Sequence, residues 1–392
     1  MENGSFQGRE VVIVEAARTP VGRGHEEKGY YKDTHASNLL SKTYSEVINR
    51  AGIDPSAVED AIAGCVQQFG EQGINIARNA WLEAGLPIET PGTTIDRQCG
   101  SAQQAVNFGA ALVASGVHDA VIGGGVEHMG HLSFADGFEV MKEHGMAFSP
   151  QLMERYNLVP QGISAEMIAD KWEIPRSELD EIGLRSHQLA ARATEEGRFE
   201  REIIPFTVNG DTYVSDQGIR PDTSLEKLSE LKPAFKEDGK VTAGNSSQVS
   251  DGAAAVLLMT RAKADELGLK PRARVLDQTT VGVDPVIMLT GPIPATRKLL
   301  DRNGMKLDDI DLIEINEAFA SVIAAWRREL EPDMDRVNVN GGAIALGHPL
   351  GSTGARLLTT LLHELERSDK ELGLVTMCCG GGLGTGTIIQ RV

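Results

Sequence analysis

Two hydrophobic periods alternate along this chain. Val11-Val12-Ile13-Val14 is a continuous apolar run, the pattern of a buried strand, and Arg18-Thr19-Pro20 closes it as a turn. Helical spacing follows across 36–51 and 74–85, and a short strand at 93–96 leads into Cys99. Between Ser101 and Ser115, Ala102, Ala105, Val106, Phe108, Gly109, Leu112 and Val113 recur with the period of a helix. Asp119 to Ile122 predicts another strand, which Gly123-Gly124-Gly125 is expected to stop.

The same order returns after residue 272. Arg274-Val275-Leu276 opens it, a helix near 294–303 follows, and Ile310 to Ile315 predicts a strand that reaches Asn316. A helix over 318–330 comes next, and Val337 to Asn340 then runs into a glycine loop. Ser352 to Glu366 predicts a helix, and Leu372 to Met377 a last buried strand before Cys378-Cys379-Gly380-Gly381-Gly382. Cys99 and His348 thus hold related places, each just before a long helix. Cys378 stands where the first half has its own triple glycine. The pattern predicts two similar α/β halves with a pseudo-twofold relation, each a mostly parallel sheet covered by helices.

Between the halves the texture changes. Met141, Met146, Phe148, Met153, Tyr156 and Leu158 are interspersed with polar residues and turn formers, and the helical stretches 164–172 and 177–196 are amphipathic and strongly charged. This predicts an inserted, partly irregular domain that covers a site. The expected organisation is a first half over 1–122, completed by about 251–272, an insert over 123–250 and a second half over 273–392.

Composition narrows the function. A chain of 392 residues with 41% hydrophobic and 24% charged residues has the make-up of a globular protein with large cores. Its formal charge of −18 argues against nucleic acid or an anionic membrane surface as the main partner. It leaves room for an anionic ligand held by a local basic patch or a helix N-terminus. The cysteines are Cys65, Cys99, Cys378 and Cys379, and the adjacency of the last two speaks against a disulfide framework and for a reducing compartment. No run approaches the length of a transmembrane helix. The first ten residues lack the regions of a signal peptide, and Ile-Ile-Gln-Arg-Val at the end is not a peroxisomal address. A cytoplasmic enzyme is the expectation.

Four stretches carry the candidate chemistry. A cysteine before a helix is ordinarily a small buried filler. Cys99, followed by Gly100-Ser101 at a helix start, also has a nucleophile's setting, because the positive end of the helix dipole would favour thiolate. His348, framed by Gly347 and Pro349, fits a positioned base or hydrogen-bond donor better than a surface histidine. Asn316-Glu317 at a strand end fits a helix cap as well as a catalytic amide. Cys378-Cys379 has no Cys-x-x-Cys or histidine cluster to make it a metal site. Gly380-Gly381-Gly382-Leu383-Gly384 is too near the chain's end to open a dinucleotide-binding unit. Close backbone approach to a ligand, with a free N–H for an oxyanion, explains it better. Arg356 reads as an internal anchor.

These motifs resemble the thiolase family, the acetyl-CoA C-acyltransferases, over essentially the whole chain. The matching blocks are Cys-Gly-Ser (99–101), Thr-Ala-Gly-Asn-Ser-Ser (242–247), Ser-Asp-Gly-Ala-Ala-Ala (250–255), Asn-Glu-Ala-Phe (316–319), the 340–351 loop and Cys-x-Gly-Gly-Gly (378–382). The resemblance implies a duplicated five-layer αβαβα fold with an inserted loop domain, in homodimers or homotetramers. It implies Cys99 as the acylated nucleophile, His348 as its activator, and Cys378 as the acid/base at the α-carbon. Asn316 would hold a water in one oxyanion hole, and the N–H groups of Cys99 and Gly380 would form the other. Arg220, Ser247 and Phe319 match positions that contact substrate or coenzyme A. Coenzyme A is then a co-substrate, with no permanent cofactor and no metal.

The sequence also departs from common thiolase patterns. Ala102 stands where glycine is frequent, Gly130 follows Glu127-His128-Met129 where serine is frequent, and Pro160-Gln161 replaces the His-Met of short-chain biosynthetic members. These departures, and the similarity of 65–72 and 331–340 to bacterial thiolases of sterol catabolism, imply a 3-ketoacyl-CoA thiolase of degradative type. The alternatives are a short-chain acetyl-CoA acetyltransferase, a decarboxylating ketoacyl synthase and a catalytically silent acyl-CoA or sterol carrier. The second cysteine at Cys378 disfavours the synthase.

Overall fold

The structure, a computed structural model, describes residues 9–392. The first eight residues of the segment read for a signal peptide lie outside the described residues. The first half contains β1 (Val11–Arg18), β2 (Gly22–Arg23), α1 (Ala36–Ala51), β3 (Asp60–Gly64), α2 (Ile76–Glu83), β4 (Gly92–Ile95), α3 (Ser101–Ser115) and β5 (Ala120–His128). After it come α4 (Phe134–His144), α5 (Pro150–Arg155), α6 (Gln161–Lys171), α7 (Arg176–Glu195), β6 (Phe206–Val208), β7 (Asp211–Tyr213) and α8 (Leu225–Ser229). The chain then returns through β8 (Ser250–Thr260), α9 (Arg261–Glu266), β9 (Ala273–Gly282), α10 (Pro292–Asn303), β10 (Leu312–Ile315) and α11 (Ala320–Leu330). It ends with α12 (Ala343–Leu346), α13 (Thr353–Arg367), β11 (Leu372–Cys379) and β12 (Leu383–Arg391).

Strand order shows the duplication directly. The sheet path runs β10-β11-β12-β9-β1-β8-β5-β3-β4, with β2 alongside β8. Outward from the centre, β1-β8-β5-β3 on one side repeats as β9-β12-β11-β10 on the other, and β1 meets β9 through Val12↔Arg274 and Ile13↔Ala273. The counterpart of β4 has shrunk to one parallel bridge, Ile313↔Val337. Just beyond it Asn338 takes φ +46. Its side-chain amide accepts from the Ile315 N–H at 2.8 Å and donates to the Ile315 carbonyl at 2.9 Å, replacing the ladder bonds a longer strand would have made.

Two expectations from the sequence fail here. The sheet is mixed rather than mostly parallel: β3–β4, β3–β5 and β10–β11 are parallel, while β1–β8, β5–β8, β9–β12 and β11–β12 are antiparallel. The hairpin from β11 to β12 turns through Gly381 and Gly382 at φ +78 and +79, so no crossover helix is needed. The triple glycine does not stop β5, which runs on to His128. A Cβ at Gly123 would lie 2.7 Å from the Val106 Cα, and one at Gly125 would lie 1.9 Å from the Gly351 carbonyl oxygen. Glycine here lets α3 and the loop before α13 press directly on the strand.

Three apolar cores separate five layers. One packs Leu39, Leu40 and Trp81 of α1 and α2 against Val12, Ala61 and Ile122. The middle one sets α3 and α13, through Val106, Val113, Leu358 and Leu362, between Val256 of one half and Val375 of the other. The third packs Leu299, Ile323 and Trp326 of α10 and α11 against Ile315, Leu374 and Ile388. The result is a five-layer αβαβα fold, in which residues 129–249, between β5 and β8, form the insert. A buried ion-pair group fastens that insert to β1: Arg18 donates to Glu202 at 2.6 Å and to Asp216 at 2.7 Å.

Candidate active site

The two central helices start at the site. β4 ends at Ile95, the chain turns sharply with Gln98 at φ +52, and α3 begins at Ser101. The Ser101 hydroxyl donates to the Gln98 carbonyl at 2.6 Å and accepts from the Arg97 N–H at 2.8 Å, locking the turn. Cys99 sits at its apex, buried. A Cβ on Gly100 would come within 2.7 Å of the Cys379 sulfur, so only glycine lets this corner dock against β11. Burial pushes the Cys99 thiol up to about 11, although the Gly380 N–H and its own N–H pull it down. The helix-start argument expected a lowered thiol. In the free site desolvation wins, with Glu127 and Asp96 adding to it.

The corner before α13 holds His348. Its backbone N–H reaches the Gln248 carbonyl at 3.3 Å and the Ser250 hydroxyl at 3.1 Å. Nδ1 lies 2.7 Å from the Thr353 Oγ1. That hydroxyl already donates to the Pro349 carbonyl at 2.7 Å, so it accepts from the ring, and Nδ1 carries the proton. Nε2 therefore presents a lone pair, and the Asn316 amide nitrogen stands 3.3 Å from it. Burial, and then the charge of Arg356, push His348 down to about 3. Burial thus favours the neutral form of both groups.

Asn316 and Cys378 come from neighbouring strands. Ile315 pairs with Thr376, and the Asn316 N–H donates to the Thr376 carbonyl at 3.1 Å. Asn316 Oδ1 is buried with no partner among the described residues. Cys378, fully buried, follows two residues after Thr376, and its thiol is raised by burial and by the nearby Cys99 and Cys379. Cys379 points the other way along the strand, to Gly100 and Thr385. The Gly380 N–H is near enough to pull the Cys99 thiol down, so one turn brings the glycine run and Cys99 together.

Of the remaining sequence candidates, Ser247 and Phe319 lie beside the segment that follows Asn316, and Arg220 lies on the surface. The Ser247 N–H donates to the Ala318 carbonyl at 2.9 Å, and Ser246 bridges to Phe319, whose ring meets Phe235 edge-on at 5.9 Å. Arg220 is exposed on the insert, where its backbone N–H donates to His187 Nδ1 at 3.1 Å. Gln248 links that loop to the catalytic corner, donating to the Gly218 and Ile344 carbonyls at 3.0 and 2.9 Å.

Sequence reasoning missed the residues that hold these groups in place. Thr353 sets the His348 tautomer. Buried Glu317 accepts from Ser186 at 2.6 Å and from Asn338 at 3.1 Å. Buried Glu127 accepts from the N–H groups of Val66, Gln67 and Gly351 at 2.9, 3.0 and 2.8 Å. An acid inside an apolar frame, as in Gly-Gly-Val-Glu-His, was the available signal. The fold also gathers Glu71, His128 and His131, which the sequence does not cluster. Both nitrogens of both rings are already engaged, by the Tyr31 and Lys32 carbonyls, the His131 N–H and Glu71.

Comparison with known proteins agrees with this geometry. The family models described as thiolase N-terminal domain and thiolase C-terminal domain match residues 11–262 and 269–391. A steroid 3-ketoacyl-CoA thiolase of Mycobacterium tuberculosis is 46% identical over 389 residues, covering 98% of this chain and 94% of that protein. A 3-ketoacyl-CoA thiolase of Saccharophagus degradans is 44% identical, covering 99% of this chain and 100% of that protein. The crystal structure of an acetyl-CoA acetyltransferase from Bacillus anthracis superposes with a TM-score of 0.89 at 38% identity, covering 100% of both chains. Among the described residues no helix is long and apolar enough to cross a membrane. A duplicated five-layer fold with two cysteines, a histidine and an asparagine gathered from both halves, matched along almost its whole length, places this chain in the thiolase family.

Proposed function

We propose that this acyltransferase is a degradative 3-ketoacyl-CoA thiolase, cleaving its substrate with coenzyme A to acetyl-CoA or propionyl-CoA and a shortened acyl-CoA. Cys99 gives its proton to His348 Nε2 and attacks the 3-keto carbon. The C2–C3 bond breaks, its electron pair becomes the enolate of the leaving thioester, and the Cys378 thiol protonates the α-carbon. Coenzyme A then attacks the acyl-Cys99 thioester, its thiol proton passes to the Cys378 thiolate, and His348 returns its proton to Cys99. Asn316, whose amide nitrogen stands 3.3 Å from His348 Nε2, holds a water for the first oxyanion, and the Cys99 and Gly380 N–H groups stabilise the second. Ser247, Phe319 and Arg220 take the coenzyme, beneath an insert that covers it.

One observation supports the reading: Cys99 from one half and Cys378 from the other lie close enough for the charge of one to raise the other, both buried, with Asn316 3.3 Å from His348 Nε2. The bulky-substrate reading rests on Pro160-Gln161. A Cβ on Gly380 would lie 2.7 Å from the Gln161 amide nitrogen, so that residue borders the reacting centre. On the insert, α4 and α5 bury none of their residues and leave Phe134, Phe138 and Met153 exposed, an apolar face suited to a large acyl group. The enzyme acts as a cytoplasmic homodimer or homotetramer.

The test is a screen of 3-ketoacyl-CoA thioesters, from acetoacetyl-CoA to branched and steroid side chains, following loss of enolate absorbance when coenzyme A is added. Intact-protein mass should show an acyl adduct that Cys99→Ala abolishes. An adduct on Cys65 or Cys379 refutes the mechanism. Equal or better kcat/KM on acetoacetyl-CoA favours the short-chain acetyltransferase, and no turnover on any thioester favours the silent carrier.

A further inference from the structure

Behind the catalytic residues, between β10 and α13, lies a set of buried polar atoms with no partner among the described residues. All three guanidinium nitrogens of Arg356 are in this state, as are Glu314 Oε2 and Asn316 Oδ1. Their placement is orderly. Glu314 and Asn316 are two residues apart along one extended segment, so they point to the same side. Arg356 is three residues after Thr353, the residue that fixes the His348 ring, so both lie on one side of α13. Arg356 is 1% exposed, Glu314 3% and Asn316 0%.

A guanidinium presents five N–H donors, and burying them all unmet is a cost that a marginally stable fold does not carry. The nearest carboxylates do not meet that demand. Glu202 is committed to Arg18 at 2.6 Å and to the Thr360 hydroxyl at 3.0 Å, and Asp216 to Arg18 at 2.7 and 2.9 Å. Glu314 interacts with Arg356 through its charge without touching it. A guanidinium and a carboxyl that burial pushes up to about 8, kept near each other but out of contact with their polar atoms unmet, are the setting in which internal water makes several hydrogen bonds at once.

We propose that Arg356 and Glu314 are positioning residues that order a short file of internal water running to the Asn316 carboxamide. Fixed from behind at Oδ1, the amide cannot rotate, and its nitrogen stays aimed at the space beside His348 Nε2 where the first oxyanion forms. The proposal rests on the role assigned to Asn316 above and extends it by two residues that never touch the substrate. Water is the occupant because the lining mixes donors and acceptors. An anion would face the Glu314 carboxyl oxygen as well as the guanidinium, and an apolar filler would leave every one of these atoms unmet.

The first arm of the test needs no variant. A high-resolution crystal structure of the wild-type enzyme should show ordered water within hydrogen-bond distance of Arg356, Glu314 Oε2 and Asn316 Oδ1. A direct Arg356–Glu314 ion pair closing a dry space overturns the proposal whatever the enzyme's activity. In kinetics, Arg356→Met should lower kcat roughly thirtyfold with KM within about twofold, while Arg356→Lys, which keeps a charged donor for the water, recovers most of it. Glu314→Gln should stay within about threefold of wild type, and Glu314→Leu should resemble Arg356→Met. In the Asn316→Ala background, Arg356→Met should add less than about threefold, because the group it positions is gone. Independent, multiplicative losses refute the proposal. So does a folded Arg356→Met enzyme within threefold of wild type, and should that variant not fold, Glu314→Leu carries the same decision. If Asn316→Ala itself leaves turnover unchanged, the oxyanion role fails, and the crystallographic arm still decides the water file.

Discussion

Gly125→Ala should disable the enzyme from inside the sheet, at a residue that touches no substrate. The glycine lies in β5, paired with Gly64 on one side and Ala254 on the other. A Cβ there would lie 1.9 Å from the Gly351 carbonyl oxygen and 2.6 Å from that of Gly64. Both obstacles are backbone, so no side chain can swing aside. To reach even 3.0 Å from the Cβ, the Gly351 carbonyl must retreat by about 1.1 Å. Gly351 follows His348 by three residues on the same loop and is clamped at its N–H by Glu127 at 2.8 Å. Displacement on that scale moves the imidazole relative to Cys99, and a catalytic group misplaced by ~1 Å costs about a hundredfold in rate. The comparison variant is Gly124→Ala, whose Cβ would meet the Ala254 carbonyl oxygen at 2.3 Å within the sheet, away from the loop. Calorimetry should show both variants destabilised. Thiolysis per folded molecule should fall about a hundredfold for Gly125→Ala and less than about fivefold for Gly124→Ala. Similar activities in the two variants would show that the loop absorbs the strain and that its contact with β5 does not set the His348 position.

Asn316→Ala should lower turnover by roughly a hundred- to a thousand-fold if the amide supports an oxyanion hole, and a change below about fivefold would demote it to a capping residue. Cys378→Ala should block cleavage and condensation yet still exchange an acyl group between Cys99 and labelled coenzyme A, since that exchange needs no carbanion and His348, left neutral after protonating the departing thiolate, can take the incoming thiol proton. A folded variant that loses exchange as fully as cleavage refutes the division of labour. His363, on α13, is pushed down to about 3 by burial, with Arg272 adding to it. Its stabilising contribution is complete above its unfolded pKa of about 6.5 and is lost as pH falls toward 3, which amounts to about 2 kcal/mol at pH 5. His363→Gln should flatten the urea-unfolding stability between pH 7 and pH 5 by that amount, and parallel pH profiles would sink the idea.

The corners of this fold were legible in the sequence because each is local. Cys99, Asn316, His348 and Cys378 all stand where an apolar run gives way to a turn. The strand-to-helix rhythm around them repeats closely enough to reveal the duplication before any pairing is known. What stayed hidden depends on contacts distant in sequence. β8 and β12 were not recognised as the strands that make the sheet mixed, because period and composition do not say which partner a strand will choose. Gly123-Gly124-Gly125 was misread because glycine punctuates many chains, whereas here it lets α3 and the 351 corner approach β5. Helix-start reasoning likewise assigned Cys99 a lowered pKa. It could not include the desolvation that appears only when two halves close over the thiol.

That desolvation bears on how the chemistry runs. Burial pushes the Cys99 thiol up and the His348 imidazole down, which disfavours a thiolate–imidazolium pair in the free site. On the proposed mechanism, charge separation waits for the thioester, and the groups that then stabilise it are fixed N–H donors rather than ions. The Gly380 N–H already lowers the Cys99 thiol, and the Asn316 amide nitrogen already stands 3.3 Å from Nε2. A neutral resting pair also protects the nucleophile, since a buried thiol reacts slowly with stray electrophiles while a thiolate does not. Duplication supplies the means. The N-termini of α3 and α13 both open at the contact between halves, so each half delivers one member of the proposed proton-transfer pair to a place that neither half could bury alone.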